Sequence, residues 1–122
     1  MSSQKSQPQK DQTFEEVFQE IYQEAFSLLI DRQTKYGSAN ISQLGLYGVI
    51  SRIANDKTSR ILHAMNGSLI AGRVHLKPFE THADETIEDA LLDIANYALI
   101  AIALNRGKWG APLKSEVEKH GA

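Results

Sequence analysis

The sequence predicts an all-α fold built on a three-helix core bundle. Two segments repeat apolar residues at three- and four-residue steps, and a third, residues 86–104, is apolar almost all round. The chain has 122 residues, 42% of them hydrophobic and 23% charged, which is the size and balance of one globular domain. The helix that is apolar on every side belongs in the middle of the bundle. A chain this small needs neighbours to complete such a core, so we expect a homo-oligomer.

The first helix is expected to begin at Phe14, after a disordered polar tail over residues 1–12. Thr13 and Glu16 have the spacing of a capping box, in which each side chain accepts a hydrogen bond from the backbone N–H of the other residue. Turn-forming residues end this helix near Gly37. The stripe expected to face the core consists of Phe14, Val17, Phe18, Ile21, Tyr22, Ala25, Leu28 and Leu29.

The second helix is expected to run from Leu44 to Met65 and to stop near Gly67. Gly45 and Gly48 fall in its first turns, where each glycine weakens a helix by about 1 kcal/mol relative to alanine. Glycine suits such a position when another part of the chain or a ligand approaches closely. The apolar side of this helix comprises Leu46, Val49, Ile50, Ile53, Ala54, Ile61 and Met65.

A long crossover over residues 68–83 connects helices 2 and 3. Its apolar residues do not alternate regularly with polar ones, and Gly72 and Pro78 interrupt the pattern. Two interpretations therefore stay open for this crossover, a small hairpin or an irregular segment.

The third helix follows a capping residue, Asp84 or Thr86, and ends at Gly107. Residues 108–122 form a C-terminal tail. This tail is expected to include one short helix from about Pro112.

Charge and composition exclude several functional classes. Thirteen basic and fifteen acidic residues give a net charge of -2, so no general positive field attracts duplex nucleic acid or an anionic membrane. The chain has no cysteine for disulfides or thiolate metal sites, and its four histidines lack the spacing of zinc ligands. The N-terminus lacks the apolar core of a signal peptide, and the apolar run of the third helix is short for a bilayer span. We therefore expect a cytoplasmic protein without a membrane partner.

The third helix nevertheless carries polar residues along one line. Asp89, Asp93 and Asn96 stand at positions i, i+4 and i+7, which share one face of a helix. A buried carboxylate costs several kcal/mol unless cations, a metal or hydrogen-bond donors meet it. The second helix offers Arg52, Lys57 and Arg60 as cations that could pair with Asp93.

Two interpretations of this polar stripe have about equal weight. The residues either form internal ion pairs that fix the register of helices 2 and 3, or they bind a phosphate-bearing ligand directly or through Mg²⁺. Tyr36 and Trp109 are aromatic candidates for stacking on a base.

Three segments occur in a characteristic order: TKYG at residues 34–37, LGLYGVISRIANDKTSRI at 44–61 and DETIEDALLDIANYALIA at 84–101. Together they resemble the nucleotide modification associated domain of the first type, a small family of bacteriophages and bacteria. The resemblance covers about residues 14–104 and implies a helical nucleotide-associated domain over 13–107. It points to Lys35, Tyr36, Gly37, Asp56, Lys57, Arg60, Glu85, Asp89, Asp93, Asn96 and Tyr97.

More distantly, the third helix resembles the second acidic helix of the MazG-like all-α nucleoside triphosphate pyrophosphohydrolases. Those enzymes pair two acidic helices around Mg²⁺, and Asp89 and Asp93 match the second of these helices. The first acidic motif is missing from helix 2, where residues 55–57 are Asn, Asp and Lys. We therefore expect binding rather than hydrolysis. If the protein is an enzyme, Glu85, Asp89 and Asp93 are its candidate magnesium ligands.

The leading hypothesis is a phage-type protein, in the cytoplasm of the host, that binds a nucleotide or a nucleotide-derived ligand. Such a protein could withhold a cyclic or ADP-ribose-type signal from antiviral defence. Two alternatives stay open: a Mg²⁺-dependent nucleoside triphosphate pyrophosphohydrolase, and a non-catalytic interaction module. No resident cofactor or metal is expected of a binder. The expected ligand-binding residues are Lys35, Tyr36, Arg52, Asp56, Lys57, Arg60, Asp89, Asp93 and Asn96.

Overall fold

A computed structural model of the chain describes residues 11–65, 67–75 and 85–119. The described residues are mostly helical and include one small two-stranded sheet, which confirms the predicted all-α class. The predicted disordered tail falls almost wholly outside the described residues. In chain order the elements are α1 (Phe14–Tyr36), α2 (Ala39–Ser51), a π-helical segment (Arg52–Lys57), α3 (Thr58–Ala64), β1 (Ser68–Ile70), β2 (Arg73–His75), α4 (Glu85–Asn105) and α5 (Lys114–Lys119).

The ends of α1 are those that the sequence predicts. The Glu16 N–H donates to Thr13 Oγ1 over 3.1 Å, and the Thr13 N–H donates to Glu16 Oε1 over 2.9 Å, which completes the capping box. At the other end, Gly37 has φ 69° and its N–H donates to the Gln33 carbonyl. A side chain at Gly37 would strain this backbone, so the chain turns at the one residue that tolerates the conformation.

The second predicted helix begins five residues earlier than expected, at Ala39 rather than Leu44. Gly37 alone supplies the turn, which leaves the polar residues after it free to continue as a helix. Gly45 then interrupts α2 with φ 67° and ψ -179°, a conformation that only glycine adopts readily. A Cβ on Gly48 would lie 2.9 Å from Leu44 Cβ. The two glycines are therefore explained by a kink and by the close approach of Leu44.

A π-helical turn separates α2 from α3. Over Arg52–Lys57 the chain carries about one residue more per turn than in an α-helix. The Thr58 hydroxyl donates to the Ile53 carbonyl over 2.8 Å at the end of this segment. Segments of this kind are often found at functional sites, because they change which side chains share a face.

Helix α4 contacts α1, α2, the π-helical segment and α3. Five of its residues are buried at three- and four-residue steps along one face, and they are Ile87, Ala90, Asp93, Asn96 and Ile100. Two of the five are polar. The inner face of this helix is thus where the polar stripe meets the rest of the chain.

The predicted core stripe of α1 is largely wrong for a single chain. Of its eight residues only Ala25 is buried, whereas Phe14 is 73% exposed and Tyr22 63%. Among the described residues, the long-range hydrogen bonds of α1 involve Ala25 and Arg32, so its first turns have little to pack against. Seen in one chain, this stripe is an exposed apolar surface.

The crossover contains the small hairpin that was one of the two interpretations. Strands β1 and β2 pair antiparallel, with Ser68 opposite His75 and Ile70 opposite Arg73. Ala71 and Gly72 form the turn, both with positive φ, as a two-residue hairpin of this type requires. Residues 76–84 lie outside the described residues.

The C-terminal region also follows the prediction. Helix α4 ends at Asn105, and Gly107, with φ 69°, forms the left-handed turn that stops it. The short helix expected from about Pro112 is α5. No helix within the described ranges is long and apolar enough to cross a membrane.

Candidate functional site

A cavity of about 480 Å³ opens between the C-terminal half of α1, α2, the π-helical segment and α4. This volume lies in the range of pockets that hold small-molecule ligands. The lining residues combine cations, amides, aromatic rings and aliphatic side chains, and they are Leu29, Arg32, Gln33, Tyr36, Gly37, Asn40, Ile41, Leu44, Arg52, Lys57, Arg60, Asp93, Asn96, Tyr97, Ile100 and Trp109.

Asp93 is the buried carboxylate in the wall of this cavity. It is 7% exposed, and both of its oxygens contact a cation. Arg32 donates to Oδ1 over 2.5 Å, and the Lys57 Nζ lies 3.0 Å from Oδ2. Of the three cations that the second helix offers, Lys57 is thus the one that pairs with Asp93, and a second cation on α1 joins it.

Sequence reasoning missed Arg32, although a signal was present. Arg32 follows Ala25 by seven residues, which places both on the same face of α1. Ala25 is the one residue of the α1 stripe that is buried. A cation on this face, just beyond the apolar stripe, was thus a candidate partner for a buried carboxylate.

The pKa of Asp93 is the balance of opposing effects. Burial alone would raise it, since a desolvated carboxylate favours its neutral form. Hydrogen bonds and the positive charges of Arg32 and Lys57 outweigh burial and hold the pKa of Asp93 below its ordinary value. The carboxylate is therefore ionised at neutral pH and fixes its two cations in place.

The cavity is positively charged although the chain as a whole is not. Among the described residues, four cations line it (Arg32, Arg52, Lys57 and Arg60) against the single carboxylate of Asp93, an excess of three positive charges. The whole chain has a net charge of -2. Within the described part of the chain, neither Arg52 nor Arg60 forms a salt bridge. These two guanidinium groups are thus placed to meet an anion.

Lys57 belongs to both the ion pairs and the aromatic wall. Its Nζ lies 5.7 Å from the centre of the Tyr97 ring, within the range of a cation–π contact. Its side chain is only 14% exposed, whereas that of Arg32 is 46% exposed. Lys57 is therefore the inner cation of the site, and Arg32 is the outer one.

Asn96 is the second buried polar residue of the wall. It is 4% exposed, and its Nδ2 donates to the Ala25 carbonyl over 2.9 Å. Its Oδ1 is buried and accepts no hydrogen bond from the described residues. Buried acceptors of this kind are uncommon, because an unpaired polar atom loses its hydration without compensation.

The rim of the cavity is held by contacts to Ser38. Gln33 Nε2 donates to Ser38 Oγ over 2.7 Å, and the Trp109 indole N–H donates to the Ser38 carbonyl over 3.2 Å. Trp109 is half-buried by this contact, while Tyr36 at the same rim is 68% exposed. Of the two rings considered for stacking, Tyr36 is thus the accessible one and Trp109 anchors the turn after α1.

The structure brings together six of the nine predicted ligand-binding residues. Those that line the cavity are Tyr36, Arg52, Lys57, Arg60, Asp93 and Asn96. Lys35, Asp56 and Asp89 lie outside the lining and are exposed. Lys35 contacts Asp31 over 3.6 Å on the surface of α1. Asp56 directly precedes the lining residue Lys57, so its side chain projects about a quarter turn away from that of Lys57. Asp89 lies about 6 Å from Asp93 along the axis of α4, towards the N-terminus of the helix.

Of the three candidate magnesium ligands, the structure describes the side chains of Asp89 and Asp93. Asp93 already contacts two cations, Asp89 is exposed, and the side chain of Glu85 lies outside the described residues. In the described ranges no three His, Cys, Asp or Glu side chains are grouped so that they could hold a metal ion.

Comparison of the chain with known proteins gives no match. No family model, curated protein or solved structure matches the chain. The resemblance to the nucleotide modification associated domain therefore stays a prediction from the three segments quoted above.

Proposed function

We propose that this protein binds a nucleotide or a nucleotide-derived ligand in the cavity between α1, α2 and α4. The observation that carries the proposal is the local excess of positive charge, in an otherwise acidic chain, around a cavity of ligand size. Phosphate groups are the common biological anions that arginine side chains bind with paired N–H donors. The sequence resemblance independently favours a nucleotide.

Different parts of the cavity suit different parts of such a ligand. Arg52 and Arg60, which form no salt bridge with described residues, would contact phosphate oxygens. The exposed ring of Tyr36 at the rim would stack on a base. Lys57 and Arg32 are held by Asp93 and would contribute positive potential without moving.

Binding without turnover is the version of this function that the geometry favours. A metal-dependent hydrolase needs carboxylate oxygens that are free to coordinate Mg²⁺. Both oxygens of Asp93 already contact cations, and a metal there would have to displace Lys57 or Arg32. The pyrophosphohydrolase stays the rival hypothesis from the enzyme class.

The ion pairs of Asp93 also support a structural alternative. They join α1, the π-helical segment and α4, which a protein-interaction module could use solely to fix the register of its helices. The two arginines of the lining that form no salt bridge with described residues are not explained by that role. We therefore place it behind ligand binding.

We further propose that the protein is a homo-oligomer in which a second copy covers α1. Phe14, Phe18 and Tyr22 form a line of neighbouring rings on its exposed side, with centroids 4.6 Å and 6.2 Å apart. Contiguous exposed apolar surface usually marks an interaction site. A phage-encoded oligomer of this kind would act by withholding a cyclic or ADP-ribose-type signal from the host.

The first experiment measures binding and fate of the ligand together. Purified protein is incubated with linear, cyclic and ADP-ribose-type nucleotides, with and without Mg²⁺, and is then heat-denatured so that bound ligand is released and identified. Depletion from solution followed by release of intact nucleotide would support the binder. Release of monophosphate and pyrophosphate only with Mg²⁺ would support the hydrolase instead.

The cavity itself is tested by removing its unpaired cations. Arg52→Ala combined with Arg60→Ala should weaken binding at least about tenfold, since each charge-assisted phosphate contact contributes about 1.5–3 kcal/mol. Lys114→Ala, which removes an exposed cation of α5 outside the cavity, is the matched control and should leave binding unchanged. Equal affinities of the two variants would place the ligand elsewhere.

A further inference from the structure

The amide of Asn96 has a fixed orientation. Its Nδ2 donates to the Ala25 carbonyl over 2.9 Å, and turning the amide over would place two acceptor oxygens against each other. The Oδ1 atom is therefore the end that faces away from Ala25. It is an acceptor with no donor among the described residues, in a side chain that is 4% exposed.

The residue that carries this unpaired acceptor lines the cavity. Asn96 lines it one turn after Asp93 and next to Tyr97. The cations of the cavity can satisfy phosphate oxygens, but they offer nothing selective for the uncharged part of a nucleotide. A fixed amide acceptor is the kind of group that distinguishes ligands that carry an N–H or O–H donor from those that do not.

We propose that Asn96 recognises a hydrogen-bond donor on the base or sugar of the ligand through its Oδ1. The inference rests on the proposed nucleotide-binding function and names the residue that makes it selective. The oxygen is buried in the unliganded chain, so the donor would meet it after a small rotamer adjustment of the wall, as often happens on binding. Binding then gives a partner to the one buried side-chain atom that lacks one among the described residues.

The test uses the natural protein with matched ligands, which avoids any effect on folding. Affinities are measured by calorimetry for tripolyphosphate, the four ribonucleoside triphosphates, a cyclic dinucleotide and ADP-ribose. The nucleotide that binds best is then compared with analogues that each lack one donor: the base N–H or amino group, the 2′-hydroxyl or the 3′-hydroxyl. One analogue should bind at least about tenfold more weakly, because it leaves the buried acceptor unpaired.

A protein variant identifies the partner of that donor. Asn96→Leu has nearly the same shape but no acceptor, so it should bind the parent nucleotide and the critical analogue equally and should keep its affinity for tripolyphosphate. If the natural protein binds all analogues equally, or if the variant still discriminates between them, Asn96 is not the selective residue. If Asn96→Leu does not fold, the comparison of analogues on the natural protein decides.

The two levels of the proposal fail in different ways. Absence of binding for every phosphate compound overturns the proposed function, and the role of Asn96 with it. Binding of nucleotides without any discrimination between donor-lacking analogues overturns the role of Asn96 alone.

Discussion

Asp93 shows how one side chain can organise both stability and charge. It contacts two cations, Arg32 of α1 and Lys57 of the π-helical segment. These residues precede it in the chain by 61 and 36 positions. Removing one member of a buried ion pair leaves the other charge desolvated and uncompensated, which costs far more than the pair itself contributes. The cost should therefore depend on how buried the remaining charge is and on whether it keeps another partner.

This dependence gives an order of effects. Asp93→Ala leaves the nearly buried Lys57 without its carboxylate and should lower the free energy of unfolding by about 3–5 kcal/mol. Lys57→Ala leaves Asp93 paired with Arg32 and should cost about half as much. Asp31→Ala, which breaks the exposed pair with Lys35, should change stability by less than about 1 kcal/mol. Urea unfolding of the three variants measures this order, and equal values for the first and third would contradict it.

Asp93 should also make stability depend on pH. Its pKa is lower in the folded chain than in the unfolded chain, where the ordinary value is 3.8. The carboxylate therefore contributes fully above that value, and the contribution is lost as the pH falls through the folded pKa. The unfolding free energy should therefore decrease as the pH falls below 3.8.

The control for this pH dependence is Asp93→Asn, which cannot ionise. Its unfolding free energy should fall less steeply over the same acid range, although the variant is less stable at pH 7. Parallel curves for the two proteins would mean that other carboxylates carry the acid sensitivity. Glu16, whose pKa is lowered by its capping hydrogen bonds to Thr13, is the candidate for that case.

At the scale of elements, one glycine determines where α2 bends. Gly45 has φ 67° and ψ -179° between two helical turns of α2. Gly45→Ala should lower the free energy of unfolding by about 1–3 kcal/mol, the typical cost of a non-glycine residue in this region. Ser42→Ala, at an exposed position of the same helix, should have little effect, as thermal unfolding would show. A stable Gly45→Ala variant would mean that the kink can relax.

The helices were predictable from the sequence because their ends carry local chemistry. The capping box at Thr13 and the C-terminal glycines at Gly37 and Gly107 act over a few residues, so they can be found without knowing the fold. The kink at Gly45 was visible only as an unexplained glycine. The π-helical segment, which contacts α4, was not predicted, since no residue type in it marks an extra residue in the turn.

The site was predicted where its signal is local to one helix and missed where the signal lies between helices. Asp93 and Asn96 stood out as polar residues in an apolar helix, and Lys57 was the nearest cation on helix 2. Arg32 is 61 residues away from its partner Asp93. No local pattern in the sequence indicates that α1 and α4 meet at these two residues. The seven-residue step from Ala25 was the available clue.

At the scale of the whole molecule, the described core is small. Among the described residues only Ala25, Val49, Ile87, Ala90 and Ile100 are buried and apolar. Sixteen large hydrophobic side chains are exposed, many of them along α1. A surface of this kind stabilises a protein only when something covers it, which is the physical ground for the proposed homo-oligomer.

The oligomer should dissociate when charge is introduced into the α1 surface. Phe18→Glu combined with Tyr22→Glu places two carboxylates among the exposed rings and should lower the mass found by sedimentation to that of one 13.6 kDa chain. Gln23→Glu adds a charge beside the ring line and is the matched control. A natural protein that already sediments as a monomer would remove the oligomer from the proposal.

The π-helical segment sets the directions in which the cations before and after it point. A π-helical turn is an α-helix with one residue inserted, and each α-helical residue rotates the chain by about 100°. Deleting Asn55, an exposed residue of the segment, would restore a regular helix but turn Arg52 about a quarter of the way around relative to Lys57 and Arg60. The cavity therefore depends on the number of residues between its cations as much as on residue type. A one-residue deletion would point these cations in different directions although every one of them is retained.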